Sequence, residues 1–184
     1  MRIISGKNKG RKIVTPANLP IRPTTDLGKE SLFNILNHYF YFNRISVLDL
    51  FAGTGNITYE FASRGAVQVV TVEQHHACVA FIKKIISELH YDNVQVIPTD
   101  VFQFLSKCQT QFDIIFADPP YTMENIETIP TLVFEKELLK PDGWLIIEHS
   151  KEHDFSSLPQ FYQHRKYGKL NFSFLVNFTS NNEE

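Results

Sequence analysis

The run Phe112-Asp113-Ile114-Ile115-Phe116-Ala117 ends in Asp118-Pro119-Pro120-Tyr121, a tetrapeptide with the groups needed to hold an aromatic amine for alkylation. The nitrogen of such an amine is a weak nucleophile because its lone pair is delocalised into the ring. Its two N–H donors need acceptors once water is excluded, and the Asp118 carboxylate and the Pro119 carbonyl can accept both. Pro119 and Pro120 stiffen that carbonyl, and engaging both hydrogens favours a pyramidal nitrogen with its lone pair directed at an electrophile. Tyr121 offers a face on which a base can stack. Asp118 can also take the proton released by the cationic product, with solvent as the alternative acceptor.

A second group of residues supplies a nucleoside site. Asp49 stands two residues before the turn Phe51-Ala52-Gly53-Thr54-Gly55, where glycines let the backbone approach a ligand closely. A dinucleotide fingerprint would need glycine at position 58, which is Thr58, so the turn does not read as a pyrophosphate cradle. Glu73 follows Gly53 by 20 residues, at the spacing where a carboxylate on the neighbouring strand accepts hydrogen bonds from both ribose hydroxyls.

The elements that carry these groups follow from periodicity. Val47, Leu48 and Leu50 form a short strand suited to burial on both faces, and Ile57, Tyr59, Phe61 and Ala62 begin a helix after the glycines. Residues 67–73 and 94–97 read as further strands. A helix with Val79, Ile82, Ile85, Ile86 and Leu89 on one face lies between them. Asp100 can cap a helix containing Phe102, Phe104 and Leu105. The sequence then predicts helix over 123–140, a turn at Lys140-Pro141-Asp142-Gly143 and a strand over 144–149. Phe172, Phe174, Val176 and Phe178 alternate as one face of a closing antiparallel hairpin, with residues 162–167 as its first arm. Strand, helix and strand in alternation give a doubly wound α/β sheet.

The glycine turn with Asp49 resembles the nucleoside loop of class I S-adenosylmethionine-dependent methyltransferases, and Asp-Pro-Pro-Tyr resembles the motif of those that act on exocyclic amines of bases. That resemblance implies a Rossmann-like seven-stranded sheet and S-adenosylmethionine as cofactor. It places Asp49 near the cofactor's cationic amino-acid end, Asp100 and Val101 against adenine, and Phe51, Gly53, Gly55, Glu73 and Asp118 among the cofactor contacts. A narrower match lies in Met-Arg-Ile-Ile-Ser-Gly-Lys at the start, Arg22-Pro23-Thr24-Thr25-Asp26, and Lys29-Glu30-Ser31-Leu32-Phe33-Asn34-Ile35-Leu36. These stretches resemble the bacterial 16S ribosomal RNA guanine-N2 methyltransferase family that modifies guanine 966. Its members commonly carry a base directly after the Thr-Asp pair, where this chain has Leu27-Gly28. The resemblance implies methylation of guanine N2 in 16S rRNA, within an assembling small subunit or free. Residue chemistry alone leaves adenine or cytosine amines of DNA or RNA, or a non-catalytic RNA-binding module, as alternatives.

Charge is distributed to match a polyanionic partner. Residues 1–25 carry Arg2, Lys7, Lys9, Arg11, Lys12 and Arg22 with no acid, a charge of +6, whereas the rest of the chain sums to −8. Two β-prone runs joined by Gly6-Lys7-Asn8-Lys9-Gly10 make this basic segment a hairpin, expected to present its bases to RNA phosphates. Arg165 and Lys166 are further candidates for phosphate contact. The organisation expected is a basic ribbon and linker over 1–24, the methyltransferase domain over 25–179 and a disordered tail over 180–184. With 43% hydrophobic residues, no apolar run of membrane-spanning length and no signal peptide, a soluble cytoplasmic monomer is expected. Cys78 and Cys108 read as packing residues, and His75-His76 point to different sides of a helix, so no metal is expected.

Overall fold

A computed structural model describes residues 1–17, 19 and 26–178. Arg22, the linker around it and the tail 180–184 lie outside the described residues. The elements are α1 (Asp26–Tyr39), β1 (Ser46–Leu50), α2 (Asn56–Ser63), β2 (Gln68–Glu73), α3 (His76–Glu88), β3 (Val94–Pro98), α4 (Val101–Lys107), β4 (Phe112–Ala117), α5 (Thr128–Glu135), β5 (Leu139–His149), β6 (Phe161–Tyr167) and β7 (Leu170–Val176). Seven strands form one sheet in the order β3-β2-β1-β4-β5-β7-β6. The first five are parallel to one another, whereas β7 runs antiparallel to both β5 and β6. The class I methyltransferase sheet implied by the sequence is the one observed.

Both faces of the sheet are covered, as an apolar strand such as β1 requires. Val47 packs with residues of α1, α2 and α3, while Leu48 and Leu50 pack with residues of α4 and α5. Strand order reverses between β1 and β4, where Leu48 lies opposite Ile115 and Leu50 opposite Ala117. Chains leaving a parallel sheet at such a reversal diverge to opposite faces and leave a crevice at the carboxyl edge. That crevice is where the glycine turn and Asp118-Pro119-Pro120-Tyr121 both emerge.

Three local expectations are corrected. Helix over 123–140 shrinks to Thr128–Glu135. In the longer helix Pro130 would sit in the interior without an N–H, whereas in the shorter one it falls in the first turn, whose N–H groups have no helical acceptor anyway. Glu137, with φ 52°, ends the helix, and the Leu138 N–H closes back on the Val133 carbonyl at 3.0 Å. Secondly, the turn at 140–143 is a bulge inside β5, which already pairs through Leu139 opposite Phe112 before resuming with Trp144 opposite Ile114. Asn177 fixes that bulge: its side chain donates to the Leu139 and Lys140 carbonyls, both at 3.1 Å. Thirdly, β6 and β7 form the expected antiparallel hairpin, but β7 is buried at all seven positions rather than on alternate ones, because it lies inside the sheet with β6 at the edge.

The N-terminal ribbon pairs Arg2 with Lys12 and is docked rather than projecting. Ile3 and Ile13 are buried in the same core as α1 and α2. At the tip Gly6 has φ +83°, and a Cβ there would lie 1.8 Å from the Ser63 carbonyl oxygen, so only glycine allows this approach to the end of α2. Lying under the ribbon, every residue of α2 is buried.

Candidate active site

The crevice is a cavity of ≈ 1840 Å³. Asp49, Phe51 and Gly53 from the first loop line it, as do Glu73 at the end of β2, Asp100 and Val101 at the start of α4, and Asp118, Pro119, Pro120 and Tyr121 after β4. The two motifs read from the sequence therefore share one chamber. Gly55 does not reach the lining. With φ +81° it turns the chain into α2, and a Cβ there would meet the Tyr59 ring at 2.7 Å. Among the basic residues Arg2 and Lys12 line the cavity; Lys9 and Arg11 are exposed on the ribbon and do not reach the lining. Lys7 is drawn to the protein, its Nζ donating to the His90 carbonyl at 3.1 Å and lying 4.9 Å from the centre of the Tyr91 ring.

Glu73 holds the loop with both carboxylate oxygens. Oε2 accepts from the Gly53 N–H at 2.8 Å and Oε1 from the His75 N–H at 2.7 Å. Each oxygen keeps a second lone pair, which suits a vicinal diol that must donate twice. Asp49 is 1% exposed, and Oδ2 accepts from the Thr58 hydroxyl at 2.5 Å. Burial pushes its carboxyl up to about 7; the nearby charges of Asp118 and Glu73 add to the rise and the Thr58 hydrogen bonds oppose it. An acid so placed gains from a cation entering the cavity. Thr58 also exchanges a hydrogen bond with the Thr71 hydroxyl at 2.9 Å, so the residue in the third glycine position orients the acid of the first strand. Asp100 caps α4, its Oδ1 accepting from the Gln103 N–H at 3.0 Å, and also borders the cavity.

Several residues outside the two motifs enter the lining. Glu148, at the end of β5, is 3% exposed and lines the cavity; His149 beside it does not, and instead bonds the Ser173 hydroxyl at 2.8 Å. Cys78 borders the cavity, and burial raises its thiol pKa, which keeps it protonated. Leu27, where the resemblance leads one to expect a base, is 68% exposed. Asp26 beside it lines the cavity and lies 3.9 Å from the Arg2 guanidinium. Among the described residues no three His, Cys, Asp or Glu side chains cluster so as to hold a metal ion, and no helix is long and apolar enough to cross a membrane.

Behind the lining lies a buried polar node. Lys29 is 1% exposed, with Nζ 2.6 Å from the Arg2 carbonyl, 2.8 Å from Asn56 Oδ1 and 3.4 Å from Glu60 Oε2. Glu60 is fully buried and accepts from the Ile4 N–H at 2.8 Å, the Ser5 N–H at 3.0 Å and Arg64 Nε at 2.8 Å. Desolvation lowers the Lys29 pKa, the Glu60 charge opposing it. A trace of this node exists in the sequence: Lys29 falls in register with Leu32, Phe33 and Leu36, on the apolar stripe of α1.

Comparison with known proteins agrees with the geometry. The family model described as conserved hypothetical protein 95 matches residues 1–176. The ribosomal RNA small subunit methyltransferase D of Buchnera aphidicola (Acyrthosiphon pisum) is 38% identical over 152 residues, 82% of this chain and 78% of that protein. Its counterpart in Escherichia coli K12 is 30% identical over 159 residues, covering 86% and 79%. Among solved structures, Escherichia coli yhhF superposes with a TM-score of 0.85 at 26% identity, over 98% of this chain and 99% of that one.

Proposed function

Because the chain belongs to the conserved hypothetical protein 95 family, which includes ribosomal RNA small subunit methyltransferase D, we propose that it methylates the exocyclic N2 of a guanine in 16S rRNA. The observation that carries this reading is the convergence of three walls on one cavity: the Asp49 loop, the Asp118–Tyr121 turn and the basic edge of the ribbon. The cofactor is S-adenosylmethionine, which when bound supplies a methyl group on a sulfonium sulfur.

The residues present fit that group. Glu73 offers paired acceptors for a ribose, Asp49 a buried acid that stabilises a cation, and Asp100 and Val101 a polar and an apolar edge for a base. On the opposite side Tyr121, 39% exposed, provides a stacking surface for a nucleobase extruded from its helix. The Asp118 carboxylate and Pro119 carbonyl accept the amine N–H groups and set its lone pair. Rate enhancement comes mainly from this orientation. Arg2 and Lys12, on the lining, neutralise backbone phosphates of the RNA, met free or within an assembling small subunit.

The test is transfer from labelled cofactor to 16S RNA, protein-free and protein-bound, followed by mass spectrometry of the nucleosides. N2-methylguanosine is expected. Methylated adenosine or cytidine would move the assignment to another base amine, and calorimetry showing no cofactor binding would make the chain an RNA-binding module. The ribbon has its own test: replacing Lys9, Arg11 and Lys12 with alanine should weaken RNA binding and reduce the slope of log affinity against log salt by about 0.7 for each phosphate no longer neutralised. An unchanged slope removes the ribbon from the RNA interface.

A further inference from the structure

The ribbon and the cofactor loop are distant in sequence, yet both line the cavity, and one side chain touches both. Lys29 Nζ donates to the backbone carbonyl of Arg2 at 2.6 Å and to Asn56 Oδ1 at 2.8 Å; Arg2 and Asn56 are themselves lining residues. Asn56 is the first residue of α2, directly after the glycine turn. We propose that Lys29 is a positioning residue, a strut that holds the RNA wall in register with the cofactor wall and passes occupancy of the loop on to the ribbon. As a matter of function this rests on the methyl-transfer reading above; as a matter of mechanics it does not.

A buried ion pair such as Lys29 with Glu60 contributes little net stability over an apolar pair of the same size, because both charges must be stripped of water. What it supplies is direction, since three acceptors converge on one ammonium with three donors. The acceptors come from three segments: the ribbon, the start of α2 and the middle of α2. Glu60 completes the joint by accepting the Ile4 and Ser5 N–H groups, so the segment that carries Arg2 is fixed as far as Ser5, three residues beyond Lys29's own contact. In-line displacement tolerates little misplacement of nucleophile against electrophile, and a shift of about 1 Å between the walls can cost about a hundredfold in rate. Lys29 touches neither reactant.

Two variants test the strut: Lys29→Met, which removes the ammonium but keeps the length, and Asn56→Ala, which cuts only the arm to the loop. The first measurement is amide hydrogen exchange over residues 1–13 with and without S-adenosylhomocysteine. In the parent protein the nucleoside should slow exchange in the ribbon by about threefold or more. Both variants should lose that slowing when compared at saturating nucleoside, and Lys29→Met, whose side chain lies outside the lining, should bind the nucleoside with affinity within about threefold of the parent. The second measurement is turnover on 16S RNA per nucleoside site titrated by calorimetry. It should fall about tenfold in both variants, in kcat and not in the KM for cofactor. A purely structural lesion would lower the number of titrated sites and leave turnover per site unchanged, which overturns the proposal. Ribbon slowing that persists in both variants, or is absent from the parent, overturns it as well. If Lys29→Met does not fold, Asn56→Ala decides alone. Coupled exchange in a parent protein that transfers no methyl group to RNA would leave the strut standing and sink the functional reading instead.

Discussion

Asp118→Ala should bind cofactor with affinity within about threefold of the parent while turnover on RNA drops about a hundredfold to a thousandfold, the scale for removing one preorganised polar partner of a reacting group. Asp118 stands where the chain leaves β4 and lines the same chamber as Asp49, Glu73 and Tyr121. Alanine there removes an acceptor for the amine without touching Glu73, Asp100 or the glycine turn. Asp118→Asn separates two roles. The amide keeps one acceptor oxygen, so if the side chain acts by orienting the amine the loss should be only about tenfold. If the carboxylate must also take up a proton, the asparagine variant should be as impaired as the alanine variant, because a neutral amide is not a base at ordinary pH. The measurement is kcat on 16S RNA for the three proteins. An alanine variant that keeps more than about half the parent rate would exclude Asp118 from the reacting set. Asp118 also raises the Asp49 pKa through its charge, so the alanine variant should show cofactor affinity reaching its plateau at lower pH than the parent.

The second large effect concerns Asp49. Its carboxyl is pushed up to about 7 by burial, so without ligand much of it is protonated in neutral solution. A cationic amino group binding beside it is stabilised only by the ionised form. Cofactor affinity should therefore rise as pH increases from 6 to 8 and flatten above, by up to about tenfold per pH unit on the acid side. Asp49→Asn should abolish the dependence and lower affinity at pH 8 by on the order of thirtyfold, the penalty for deleting one member of a desolvated charge pair. Calorimetric titration across that range checks both; a pH-independent parent would mean that Asp49 does not face the cation. Folding stability supplies the opposite sign. Because the folded pKa is raised from 3.8 to about 7, the native protein holds a proton that the unfolded chain has released. The resulting stabilisation is complete below the unfolded value and is lost as pH rises through about 7. Relative to Asp49→Asn, the unliganded parent should thus lose melting temperature between pH 5 and pH 8, and saturating cofactor should recover it.

How far the molecule could be read from its sequence depended on whether the signal was local. β1, the glycine turn, Glu73 and Asp118-Pro119-Pro120-Tyr121 were legible because each is set by a strand period, a glycine or a proline within a few residues, and the chamber brings them together. Periodicity failed over 123–140, where apolar spacing alone runs past Pro130 and only the backbone rule for proline restores the true start of α5. The turn at Lys140-Pro141-Asp142-Gly143 is legible locally, but that it is a bulge within β5 is not, because it is held by Asn177, more than 30 residues away. That the ribbon must lean on the domain or on a ligand follows from the marginal stability of a lone hairpin, but where it docks does not: Gly6 reads as a turn glycine, and its approach to Ser63 is a tertiary fact. Lys29 was the avoidable omission. A lysine on an apolar stripe is either exposed at the rim or paired inside, and its register with Leu32, Phe33 and Leu36 favoured the second.

The strand order bears on the protein's own manufacture. β7 lies between β5 and β6 although it follows both in the chain, and its first residue, Leu170, is also a wall of the cavity. While the polypeptide is still emerging from the ribosome, β5 therefore presents a bare ladder of N–H and C=O groups, and β6 has nothing to zip against. Of residues 170–176 Leu170 alone lines the cavity, so a nascent chain stalled before it has its glycine turn and its Asp-Pro-Pro-Tyr but lacks both that piece of the wall and the strand between β5 and β6.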